Sequence, residues 1–207
     1  MTGEKNKFQT HEKLWNLDDK QLKSPKHDAM VVWLMDKDNL LSVLPYKKDI
    51  TISTERNGDL FFEFMGVNIH AEVPIYSNTN FIGGYVDLLV NLVYEADEES
   101  KKRIRYTEPS AVIPQVIEVK PYIDSFGAVL RQMKSYKSMR DAKPYNSSLF
   151  LNKSLRPNYN DFKGYSHYYI FTFDERFDSQ FESQFIGMLH PPKEISIEDM
   201  TNFYGGE

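Results

Sequence analysis

Asp87, the pair Glu118 and Lys120, and the pair Gln132 and Tyr136 follow one another along one stretch of the chain, and together they read as a metal-dependent nuclease site. Carboxylates are suitable ligands for hard divalent cations, and such cations neutralise a phosphodiester and lower the pKa of a bound water. Taken singly, each residue is a weak signal.

Two strands and a helix have to position these side chains. VIPQVIEVKPYI is an apolar, β-branched run interrupted by two opposite charges; alternation sends Glu118 and Lys120 to one face and Ile117 and Val119 to the other. An ion within a buried strand needs a partner or a metal to offset its desolvation, the plainer alternative being a salt bridge at a sheet edge. In IGGYVDLLVNLVY, Tyr85, Asp87, Leu89 and Asn91 share a face opposite Val86, Leu88, Val90 and Leu92, and Gly83 is the expected place for a bulge. The joining segment EADEESKKRIRYTEPSA, acidic then basic, reads as a solvated, mobile hairpin extension. The next helix starts at Asp124 or Ser125, buries Phe126, Val129, Leu130 and Met133, and makes Gln132 and Tyr136 neighbours beside that stripe. Its Arg131, Lys134, Lys137, Arg140 and Lys143 outnumber Asp124 and Asp141, which suits phosphate contact; an ordinary solvated helix face has the same composition.

These motifs resemble the PD-(D/E)XK nucleases, and within them the RecB-type branch. G-x-x-D corresponds to Gly84 through Asp87, E-x-K to Glu118, Val119 and Lys120, and the helical Q-x-x-x-Y to Gln132 and Tyr136. The resemblance spans roughly residues 27 to 174 and implies an α/β fold with a restriction-endonuclease-like core, a central mixed β-sheet flanked by helices in the order αβββαβ. It implies that Asp87 and Glu118 hold Mg²⁺ or Mn²⁺ with the Val119 carbonyl, that Lys120 orients the attacking water, and that Gln132 and Tyr136 steady substrate or lysine. A further metal ligand is implied at His27, since RecB-like enzymes often supply a histidine from the first helix. That helix is expected over KSPKHDAMVVWLMDKDNLLSVLP, where nothing local to His27 demands a metal and a surface histidine is the plain alternative. His70 and Glu72, on one face of the strand DLFFEFMGVNIHAEVPIY, are rivals that read more simply as a hydrogen-bonded structural pair.

The Q-x-x-x-Y motif implies an exonuclease acting on single-stranded DNA or DNA ends. A structure-selective endonuclease is the alternative on the same site. A nucleic-acid-binding or scaffold protein that keeps the fold without cutting is the alternative of another class, and the intact Asp87, Glu118 and Lys120 speak against it. The chain also resembles the nuclease core of the CRISPR-adaptation nucleases, without the four cysteines that hold their cluster. Its size, lack of cysteine and KSPKHDAMVVWL opening further resemble small nucleases of archaeal rod-shaped viruses, which implies work in replication, repair or DNA degradation inside a host cell.

At 207 residues the chain is one domain's worth. With no cysteine it has no disulfide framework, no thiolate zinc site and no cysteine-ligated iron-sulfur cluster. A net charge of −5 argues against broad duplex wrapping and favours a charged channel confined to the site. The absence of a long apolar stretch or signal-peptide pattern leads to the expectation of a cytoplasmic protein with no membrane contact. Residues 1–26 read as a flexible or docking arm containing Trp15, 27–190 as the nuclease domain and 191–207 as a C-terminal tail. The tail IEDMTNFYGGE resembles a sliding-clamp-binding peptide, with Met200 as plug, Phe203 and Tyr204 as paired aromatics, and Ile197 where such peptides lead with glutamine. From Tyr165, SHYYIFTF reads as another strand, Phe177, Phe181, Phe185 and Leu189 as one helical face, and Tyr159, Phe162 and Tyr165 as loop aromatics suited to stacking on unpaired bases. Ring-shaped assemblies among relatives imply a homo-oligomer as one arrangement.

Overall fold

The computed structural model describes residues 25–54, 57–76, 82–104, 109–141 and 168–205. It opens on two helices, α1 (Pro25–Met35) and α2 (Lys37–Val43), where the apolar spacing alone suggests one. The break is Asp36, whose extended backbone and side chain, accepting from the N–H groups of Asp38 and Asn39 at 3.0 and 3.1 Å, restart the helix with an N-cap.

Six strands follow: β1 (Asp49–Thr54), β2 (Gly58–Tyr76), β3 (Ile82–Ala96), β4 (Ser110–Val119), β5 (Tyr168–Phe171) and β6 (Gly187–Leu189). They form one mixed sheet in sequence order, antiparallel from β1 to β4 and parallel from β4 to β6. Between and after them lie α3 (Glu98–Arg103), α4 (Phe126–Asp141), α5 (Asp178–Glu182) and α6 (Ile197–Gly205). The chain is therefore α/β, a mixed sheet flanked by helices, with four strands rather than three ahead of the long helix α4.

A core lies on each face of the sheet. The larger joins Met30 and Leu34 of α1, Leu40 of α2 and Met200 of α6 to Leu88, Val90, Ile117, Val119 and Phe171, with Trp33 stacked on Phe171 at 5.6 Å. The smaller joins Val129, Met133 and Tyr136 of α4 and Phe181 of α5 to Val116 and Ile170, with Phe126 against Phe181 at 4.6 Å. Ser125 caps α4, its Oγ accepting from the Ala128 N–H at 3.4 Å.

Two bulges adjust β2 against β3. Phe64 pairs with Tyr94 and Gly66 with Val93, so Met65 is an extra residue beside a glycine at φ 142°. Before it Leu60, Phe62 and Phe64 serve the larger core; after it Val67, Ile69 and Ala71 do, a switch of parity that keeps one face apolar along a 19-residue strand. The second bulge leaves Gly83 unpaired between Ile75↔Gly84 and Tyr76↔Ile82, the position expected from the sequence.

Three segments differ from expectation. Over its described residues up to Ile104, the charged connection after β3 is not a loose extension: Asp97 caps α3 by accepting from the Ser100 N–H at 2.7 Å, and the Ser100 Oγ accepts from the Phe61 N–H at 2.8 Å. Its acid-then-base order is the one a helix dipole favours. Phe177, Phe181, Phe185 and Leu189 do not share a helical face. α5 ends in a Schellman motif, Ile186 N–H to Phe181 C=O at 3.1 Å and Phe185 N–H to Glu182 C=O at 2.9 Å, after which Leu189 lies in β6. Finally, the stretch read as a tail forms α6, capped by Ser196 and Asp199, with Ile197 and Met200 in the larger core. At 2% exposure Met200 is plugged into this domain already, and a clamp pocket taking it requires α6 to leave.

Among the described residues no helix is long and apolar enough to cross a membrane. The arm up to residue 24 with Trp15, the loop aromatics Tyr159, Phe162 and Tyr165, Lys143, and the side chains of Lys137, Arg140, Phe203 and Tyr204 lie outside the described residues.

Candidate active site

The β3–β4 ladder ends at the pair Leu88↔Ile117, so Asp87 and Glu118 occupy the next facing positions, one step past the last backbone pairing. The Asp87 side chain takes over there: its Oδ2 accepts the Val119 N–H at 2.7 Å, satisfying a strand donor that a carbonyl would otherwise meet. On the other side of β3 the register passes from Ala71↔Leu88 to Val73↔Val86, and Glu72, the intervening residue, has a left-handed backbone at φ 49°. Strained backbone of this kind gathers at functional sites. Alternation breaks at the same point. Leu88 packs in the larger core and Leu89 in the smaller as expected, but Val86 joins Leu89 rather than Leu88. Asp87 and Glu118 are both 0% exposed.

From the larger core's side comes His27, in the first turn of α1. Its Nε2 lies 3.2 Å from Asp87 Oδ2, and its Nδ1 lies 3.0 Å from Asp28 Oδ1. At 4% exposure His27 is not a surface histidine. The helix that holds it is buried almost all round, and this packing aims the first turn at β3. His70, by contrast, is exposed on β2.

The other side of the site belongs to α4. Glu118 Oε1 accepts from Lys120 Nζ and from Gln132 Nε2, the latter at 2.8 Å, and Oε2 faces the Tyr136 hydroxyl at 2.9 Å. Gln132 Nε2 also donates to that hydroxyl at 2.6 Å. The phenol has one proton to give, to Glu118 Oε2 or to the Tyr85 carbonyl at 3.0 Å. Burial first, then the charge of Glu118, pushes its pKa well above the ordinary tyrosine value, so it stays a neutral donor. The Glu118–Lys120 pair is real, but it is not an edge salt bridge: β4 is interior, with β5 bonded along Val116–Val119, and the Lys120 N–H continues that ladder to the Phe171 carbonyl at 2.9 Å.

Sequence reasoning missed the neighbours that hold this arrangement. Asp28 backs His27, and its signal was the dipeptide itself, an acid in the first helical turn beside the candidate ligand. Asp174 and Arg176 clip the loop after β4. Asp174 Oδ2 accepts from the Ile123 N–H at 3.1 Å and from Arg176 Nη2 at 2.6 Å, and Arg176 Nη2 reaches the Ile123 carbonyl at 3.2 Å. Nothing in the local sequence around Asp174 points to Ile123.

Two wholly buried carboxylates at facing register positions offer the hard oxygens that suit Mg²⁺ or Mn²⁺, with an imidazole nitrogen against one of them. Among the described residues, no three His, Cys, Asp or Glu side chains are already drawn together around one point as a metal-holding group. Here N–H, O–H and ammonium donors hold the acidic oxygens, and a cation has to exchange with them. The chain matches no family model, no curated protein and no solved structure.

Proposed function

We propose that this chain is a Mg²⁺- or Mn²⁺-dependent deoxyribonuclease, an exonuclease on single-stranded DNA or DNA ends, built on a restriction-endonuclease-like core of the PD-(D/E)XK, RecB-type kind. The observation that carries it is convergence. His27 from α1 and the Val119 N–H meet the buried Asp87 of β3, and Lys120, Gln132 and Tyr136 meet the buried Glu118 of β4, so two polar sets adjoin at facing positions of neighbouring strands. A degenerate scaffold has no need to keep two desolvated carboxylates, which are costly to bury.

The residues that would hold the cation are Asp87, Glu118, His27 and the Val119 carbonyl. Once bound, the cation supplies charge neutralisation at the scissile phosphate and a more acidic water. The protein's own groups do the rest. The Val119 N–H fixes the Asp87 carboxylate, beside which His27 Nε2 stands at 3.2 Å, while Gln132 and Tyr136 fix that of Glu118, so neither has to be ordered when substrate arrives. Lys120, a quarter exposed at its side chain, stands where the buried group meets solvent and can donate to the attacking water and a phosphate oxygen. The water oxygen bonds to phosphorus as the bond to the leaving oxygen breaks, giving one phosphate end and one hydroxyl end. Arg131 and Lys134, exposed on α4, supply local positive charge to an acidic chain.

The experiment is cleavage of end-labelled single- and double-stranded DNA with Mg²⁺, Mn²⁺ or chelator, comparing wild type with Glu118→Ala and Lys120→Ala. Metal-dependent cleavage lost in both variants supports the reading, and the product ladder separates progressive trimming from internal cuts. Wild type that binds DNA and never cuts it overturns it in favour of a binding module.

A further inference from the structure

Tyr122 is a large aromatic side chain left 52% exposed on a loop that is otherwise pinned at every turn. The Lys120 N–H before it is bonded to β5, Thr172 Oγ1 approaches the Pro121 carbonyl at 3.5 Å, and the Ile123 N–H and C=O are held by Asp174 and Arg176. Ile123 itself is buried in the smaller core. A loop fixed on both sides of one residue presents that residue's ring in a set orientation, and the ring finds no place in either core. A cation stands beside it: Lys26 Nζ lies 5.9 Å from the ring centroid. Lys26 is exposed at the start of α1, next to His27; Tyr122 lies two residues after Lys120. The pair therefore bridges the two sides of the acidic site at its solvent boundary.

We infer that Tyr122 and Lys26 form a nucleotide subsite, in which an unpaired base next to the scissile phosphate stacks on the Tyr122 ring and the adjoining phosphate contacts Lys26. The inference rests on the nuclease reading for its substrate and deepens it by specifying a single strand, because a base stacked in a duplex has no free face to offer. An aromatic face accepts any base, so the subsite selects strandedness rather than sequence. The fixed loop adds affinity by sparing the ordering cost of a mobile ring.

The test measures binding of a fluorescent single-stranded oligothymidylate, and of an abasic backbone of equal length, to the full chain in chelator, where no cutting intervenes. Tyr122→Ala is expected to weaken oligothymidylate binding about tenfold and to leave abasic binding unchanged; Tyr122→Phe keeps the ring and the affinity. Lys26→Ala weakens both oligomers alike. The control is Phe61→Ser, a half-exposed aromatic on β2 paired with Thr51 of β1. Tyr122→Ala binding like wild type overturns the subsite and leaves the nuclease reading standing, as does wild type that cuts duplex but holds no single strand. Tyr122-dependent binding without cleavage in any metal upholds the subsite and removes the nuclease reading. Neither binding nor cleavage overturns both.

Discussion

His27 Nε2 lies 3.2 Å from Asp87 Oδ2, the oxygen that also receives the Val119 N–H, so the first helix and two central strands are tied at one atom. If that contact marks a metal site, His27→Ala raises the Mn²⁺ concentration needed for half-maximal cleavage by about tenfold or more, and Asp28→Asn, one step removed, raises it less. Titration of Mn²⁺ against single-strand cleavage measures both. Unchanged metal dependence in His27→Ala removes the histidine from the ligand set.

Gln132 and Tyr136 act on Glu118 together, and on each other. Tyr136→Phe and Gln132→Ala should each slow cleavage about tenfold to a hundredfold, and the double variant should lose far less than the product, because either loss already frees the carboxylate. A double-mutant cycle on single-turnover rates reads this directly, and strictly multiplicative losses would show that the two side chains work apart.

Asp174 has its carboxyl held well below the usual carboxylate range, first by the Arg176 guanidinium and also by the Ile123 and Arg176 N–H groups. A group with a depressed folded pKa contributes its stability above the unfolded value of about 4 and loses it as pH falls from there toward the folded pKa. Asp174→Asn should therefore cost about 1–3 kcal/mol at pH 7 and show a shallower decline in stability below pH ~4 than wild type. Urea midpoints at the two pH values decide it; parallel declines would mean that Asp174 is not a major acid-labile group.

Phe185 takes the left-handed position of the Schellman motif at φ 58°, and its ring is 82% exposed. Phe185→Gly relieves the Cβ strain there and, after glycine's larger unfolded-state entropy is subtracted, should stabilise the fold by about 0.5–1 kcal/mol. A thermal or urea midpoint that falls instead would show that the exposed ring makes a stabilising contact.

What could be read in advance followed from fixed periods. Glu118 and Lys120 share a strand face, and Gln132 and Tyr136 a helix face, whatever surrounds them, so the α4 half of the site was legible in residue spacing. The His27 half was not. Its burial depends on α1 packing against the sheet, a contact between segments far apart in sequence, and a histidine in a first helical turn looks the same exposed or buried. Phe177, Phe181, Phe185 and Leu189 misled because a spacing of four fits a helix, and the left-handed position where the chain reverses is held by Phe185 itself, with the nearest glycine, Gly187, two residues beyond. The break between α1 and α2 did carry a sign, the capping aspartate Asp36 inside an apolar run. The switch of facing residues in β2 was signalled only by Gly66, since one extra residue in a ladder is visible in the pairing and nowhere else.

The two cores on opposite faces of the sheet each deliver half of the acidic group: α1 brings His27 with the larger, α4 brings Gln132 and Tyr136 with the smaller, and the central strands β3, β4 and β5 contribute to both. The group is thus a seam between two layers, and it exists only while both are seated on the same strands. Loosening α6, which lies far along the chain from Asp87 but packs against α1, should unseat His27 as surely as a substitution beside it. Assembly of the site reports that the whole sandwich has closed, and a partly folded chain carries the residues without the site.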